Sequence, residues 1–179
     1  MKWTPAASLA LVPVAAVLAP AVAEAKIYVS VEDTQQRLFP GERLILNPVA
    51  LTEAQRERMR ELSSVREPFR GERVWKSEKG GWFIVDEVVG KHEMVKYALA
   101  INADGTIRGI EIMEYVESYG YEVGEASWRA QFVGRTAQDT LKLNKDIKNI
   151  AGATLSCKHL TDGVKRLMVM YDMVLKGSK

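Results

Sequence analysis

Apolar and polar positions fall into three regimes along this chain. The first is an uncharged, alanine-rich run from Leu9 to Val22, behind Met1-Lys2. The second is a series of short runs rich in β-branched and aromatic residues: Glu72–Glu78, Trp82–Val89, Glu93–Ile101 and Thr106–Val116. These read as strands. They are separated by Lys79-Gly80-Gly81, Gly90-Lys91-His92 and Asn102-Ala103-Asp104-Gly105, and connections this short favour an antiparallel meander. Tyr97, Leu99 and Ile101 alternate with Lys96, Ala98 and Ala100, the pattern of a sheet with one better-buried face. The third regime begins at about Cys157, where Leu160, Val164, Leu167, Met168, Tyr171, Val174 and Leu175 form one stripe at helical spacing. Lys158, Asp162, Lys165, Arg166, Asp172 and Lys176 fall mostly on the other side of that helix, which is the natural cover for the better-buried face. A further helix opens at the capping-box pattern Thr52-Glu53-Ala54-Gln55 and runs to about Ser63, with a charge-rich solvated face. The predicted fold is α+β, an antiparallel meander packed against a C-terminal helix.

Composition narrows the function classes. The formal net charge of +2 is nearly balanced, and no basic stripe or aromatic-interleaved patch points to nucleic acid. A lone cysteine, Cys157, excludes an intramolecular disulfide, and no haem-attachment or metal-ligand spacing is present. At a helix start the Cys157 thiol has two readings, an acidified reactive group or a passive small residue. His92 and His159 stand isolated and read as a loop or strand-end residue and a helix-surface residue.

The first regime says where the chain goes. A positive start, an apolar stretch and the small-residue sites Ala21-Val22-Ala23 or Ala23-Glu24-Ala25 make residues 1–25 a secretory signal peptide. The competing reading is an uncleaved anchor, since Trp3 to Ala23 is long enough to span a bilayer; Pro5, Pro13 and Pro20 weaken it. Residues 26–179 then form one domain with an N-terminal helical extension.

Chemistry concentrates in Asn149-Ile150-Ala151-Gly152-Ala153-Thr154-Leu155-Ser156, just ahead of the last helix. Gly152 and Ala153 leave the backbone before Thr154 almost bare, and a helix N-terminus favours an anion through its free N–H groups and dipole. The plain alternative is that Thr154 or Ser156 caps the helix. This segment resembles the flavin-attachment motif of the periplasmic FMN-binding domain family, which includes flavin subunits of the sodium-pumping NADH:quinone oxidoreductase and of Rnf-type complexes. A second block, Glu117-Ser118-Tyr119-Gly120-Tyr121-Glu122-Val123 with Trp128-Arg129-Ala130-Gln131-Phe132-Val133-Gly134-Arg135, is similar to that family's E-T-P-G-L-G segment and its W-x-x-x-F-x-G continuation.

The resemblance implies that FMN is bound covalently, its phosphate esterified to Thr154, with Gly152, Ala153, Leu155 and Ser156 around it. It also puts Ser118 in hydrogen-bonding reach of the cofactor and makes Glu117 the residue that fixes the turn; the alternative is a turn pair with no ligand contact. Trp128 and Phe132, four apart, share a helical face and read either as flavin neighbours or as core aromatics, the second being favoured for Phe132. The chain departs from the family at Lys148 and Ala151, where the family has an aspartate and a Ser or Thr; Asp146 is the nearest upstream carboxylate. Lys148 either contacts the phosphodiester or removes a carboxylate that the attaching enzyme uses.

Two functions of different class follow. The favoured one is an electron carrier in the periplasm, loaded by a flavin transferase and exchanging electrons with a membrane electron-transport complex or another redox protein. The other is a non-redox binding module that keeps the fold without loading flavin covalently.

Overall fold

The computed structural model describes residues 27–117 and 120–178. The predicted signal peptide therefore lies outside the described residues, as does Ser118. Six strands form one antiparallel sheet: β1 (Ile27–Tyr28), β2 (Leu44–Leu46), β3 (Val74–Ser77), β4 (Trp82–Val89), β5 (Met94–Ile101) and β6 (Ile107–Tyr115). The spatial order is β1-β6-β5-β4-β3-β2, so β2 to β6 are a meander and β1 returns to pair with the far side of β6.

Both faces of this sheet are covered. Ile84, Val88, Val95, Tyr97, Leu99, Ile101, Ile110 and Ile112 point into the main core under helix α4 (Thr154–Met170), with helix α2 (Glu53–Ser63) packed on α4. The alternate residues Phe83, Val85, Ala98, Ala100 and Met113 form a second, smaller core with Phe39 under helix α1 (Val31–Leu38). The alternation expected for β5 is therefore real, but both of its faces are buried. Helix α2 starts at the expected capping box: the Thr52 hydroxyl accepts from the Gln55 N–H, and the Gln55 side chain accepts from the Thr52 N–H.

Three features of α4 differ from expectation. It starts at Thr154, three residues before Cys157, and after Met170 it continues as a five-residue π turn, Tyr171–Leu175. Arg166, assigned to the polar side, is 2% exposed. Its Nε and Nη2 both donate to Asp86 Oδ2, at 3.0 and 2.6 Å, while Nη1 and Nη2 reach the carbonyls of Glu67 and Glu87. Tyr97 Oη donates to the same carboxylate oxygen at 2.9 Å. This buried network locks α4 to β4 and β5 and to the segment after α2.

Candidate functional site

Strand β6 ends at Tyr115, and two residues later the Glu117 carboxylate closes the β4–β5 turn. Its Oε1 accepts from the backbone N–H groups of Lys91, His92 and Glu93, at 2.5, 2.6 and 3.1 Å. Burial raises the Glu117 carboxyl, but the three N–H bonds outweigh it and hold its pKa below the ordinary value. From the other side His159, on the second turn of α4, holds the same turn: its Nδ1 lies 2.7 Å from the Val89 carbonyl and 3.1 Å from that of Gly90. Both partners are acceptors, so Nδ1 carries the proton.

The motif loop is pinned just as firmly. Trp128, in the short helix α3 (Ala126–Arg129), donates its indole N–H to the Lys148 carbonyl at 2.8 Å. Gln131 Oε1 accepts from the Lys148 N–H at 2.7 Å, and Arg135 Nη2 donates to the Asp146 carbonyl at 2.7 Å. The loop then turns tightly from Ile150 to Ala153 through Gly152, whose φ of +86° is the left-handed value that glycine adopts without strain. Ala153 is not spare room beside Thr154. It is buried against Gly120, where a Cβ would stand 2.8 Å from that of Ala153 and 2.7 Å from Tyr115 Oη.

Neither Thr154 nor Ser156 is the helix N-cap. That position is Ala153, which offers no side-chain oxygen. The first helical bond runs from the Cys157 N–H to the Ala153 carbonyl, so the N–H groups ahead of it have no helical acceptor. Thr154 is exposed at this end, whereas Ser156 is buried with its Oγ 3.2 Å from Tyr115 Oη. Cys157 is fully buried, and burial pushes its thiol pKa up, as suits a passive residue.

These elements enclose a cavity of about 370 Å³ lined by Gly152, Ala153, Thr154, Leu155, Ser156, Glu117, Lys91 and His92. The size lies within the usual range for small-molecule sites. Six of the seven residues expected at the site line this one cavity, although they come from segments more than 30 residues apart; the seventh, Ser118, lies outside the described residues.

Residues 90–169 match the model of the FMN-binding domain. This stretch belongs to the FMN-binding domain family. A comparison with curated proteins gives no match. The matched stretch takes in β5, β6, α3 and α4, hence every residue lining the cavity, while β1 to β4 lie outside it and complete the same sheet. The residues present fit a flavin mononucleotide: an exposed hydroxyl and N–H groups without helical acceptors at a helix start for the phosphate end, and the basic side chains Lys91 and His92 on the same lining.

Within this FMN-binding domain Trp128 and Phe132 are core residues. They are 5% and 0% exposed and pack edge to face at 5.2 Å between centroids. Trp128 acts on the site through the Lys148 carbonyl, not by facing the cavity. Lys91 and His92 were not among the residues expected at the site. Their place depends on Glu117, some 25 residues downstream, gathering the turn beneath it, and the lone sequence signal was a Gly-containing turn.

Proposed function

We propose that this chain is an extracytoplasmic electron carrier whose FMN is joined to Thr154 by a phosphoester. The observation that carries the reading is the exposed Thr154 hydroxyl at the uncapped start of a 17-residue helix, on the wall of the cavity that Glu117 completes. Bound there, FMN supplies reversible one- and two-electron chemistry, while the protein supplies position and electrostatics. The N–H groups of the first helical turn and the helix dipole offset the charge of a phosphodiester. Lys91 and His92 line the same cavity, on a turn whose backbone Glu117 holds in place.

A covalent tether suits a protein exported from the compartment where flavin is made, because occupancy then no longer depends on free ligand concentration. Loading would come from a flavin transferase outside the cytoplasm, and electrons from a membrane redox complex or another redox protein. Among the described residues no helix is long and apolar enough to cross a membrane, so membrane contact would be through such a partner or through the N-terminal segment.

Lys148 has an exposed side chain, while its N–H and carbonyl are both bonded to the 128–131 segment. The lysine side chain is therefore free to alter what a transferase meets without taking part in the bonds that hold the loop. Asp146 is held in its own turn: its N–H donates to the Lys142 carbonyl and its Oδ2 accepts from the Lys142 N–H at 3.4 Å.

The test is spectroscopic. Chain exported from a host with a flavin transferase should be yellow and should bleach and recover reversibly in a redox titration. Colourless protein from that host would favour the non-redox binding module instead.

A further inference from the structure

We infer that Asn149 positions the Thr154 hydroxyl for esterification, an inference that rests on Thr154 being the attachment point. The Asn149 side-chain amide lies 2.8 Å from Thr154 Oγ1, reaching across the Gly152 turn. The backbone on either side of it is fixed. Lys148 is held through both its N–H and its carbonyl, and the Ala153 N–H closes the turn onto the Ile150 carbonyl. A half-turn of the amide exchanges its two ends.

The two ends suit the two chemical states of Thr154. A free threonine hydroxyl has a proton to donate, and an ester oxygen has none. With the carbonyl end inward, Oδ1 accepts the Oγ1 proton and leaves the oxygen's lone pairs turned toward an incoming phosphorus. With the amino end inward, as in the structure, Nδ2 donates to Oγ1, which remains possible after the ester has formed. In the transfer the Oγ1–P bond forms, the bond from phosphorus to the leaving phosphate of a flavin phosphoanhydride breaks, and the Oγ1 proton leaves to a base of the transferase. Asn149 neither gains nor loses a proton.

A second observation separates this role from ordinary loop building. Asn149 Oδ1 is enclosed and has no hydrogen-bond partner among the described residues. An enclosed unpaired acceptor is destabilising, so an amide here is a poor choice for stability alone. The amide is kept for its other end, whose Nδ2 holds Thr154 Oγ1.

The test is a transferase assay on the purified apo chain with flavin adenine dinucleotide as donor, following intact mass against time and chain concentration. N149A should lower kcat roughly tenfold, the equivalent of one hydrogen bond, with KM and melting temperature close to those of the native chain. N149D, which keeps an acceptor of the same size, should load faster than N149A. A native kcat in N149A, a loss of rate matched by a fall in melting temperature, or N149D no faster than N149A would overturn the inference while leaving Thr154 as the attachment point. A native chain that gains no mass, or a Thr154→Ala chain that gains as much, would overturn both.

Discussion

Replacing Glu117 with alanine removes one carboxylate oxygen shared by three backbone N–H groups of the 91–93 turn. A hydrogen bond to a charged group contributes about 1.5–3 kcal/mol when its partner is left without a replacement. Lys91, His92 and Glu93 are themselves exposed, so water recovers part of the loss. Counting the two short bonds at the lower end gives about 3 kcal/mol for Glu117→Ala, and about half that for Glu117→Gln, which keeps a neutral acceptor. In a domain of this size each kcal/mol moves the melting temperature by about 2–4 °C, so the alanine variant should melt about 6–12 °C below the native chain near neutral pH.

The sign of the pH dependence follows from the lowered Glu117 pKa. Its stabilisation is fully present above the ordinary carboxylate value and is lost as pH falls through the lower folded value. The native chain should therefore lose its advantage over Glu117→Gln on acidification. Thermal melts of the apo chain and both variants at about pH 7 and about pH 3.5 measure this. An alanine variant within about 2 °C of native at neutral pH, or a native-to-glutamine gap unchanged in acid, would refute the reasoning.

Two other perturbations probe the frame around the site. Gly120→Ala places a Cβ 2.7 Å from Tyr115 Oη and 2.8 Å from the Ala153 Cβ at a φ of +85°; it should cost about 1–3 kcal/mol and lower flavin content, read from the ratio of visible to ultraviolet absorbance. Arg166→Met strands Asp86 in the core and should destabilise by about 3–5 kcal/mol in chemical denaturation, while Asp86→Asn combined with Arg166→Met recovers part of it.

What the sequence made legible follows the range of the forces involved. Strands β3 to β6 and helix α2 were readable because periodicity, turn residues and a capping box are local signals. Helix α1 and strands β1 and β2 were not: α1 has eight residues and β2 three, too short for a periodic pattern to stand out. The start of α4 carries no local mark of the boundary, because Ala153 caps nothing. A helical stripe sends Arg166 to solvent, whereas its partner Asp86, 80 residues away on β4, draws it into the core.

At the site, Thr154 and its neighbours were legible from one contiguous motif, and Glu117 from a second. Lys91 and His92 were not, since long-range hydrogen bonds bring them to the cavity. Trp128 was visible as important, but its bond to the Lys148 carbonyl makes it a support for the motif loop. That pairing of an indole N–H with a backbone carbonyl 20 residues downstream leaves no trace in residue spacing.

The central claim is that Thr154 carries the flavin, and intact mass under denaturing conditions tests it most directly. Chain exported from a host with a flavin transferase should gain the mass of one FMN less one water. Ser156→Ala should keep that gain, because its hydroxyl is buried against Tyr115, and Thr154→Ala should lose it entirely while remaining folded. Covalent flavin that persists in Thr154→Ala would contradict the account.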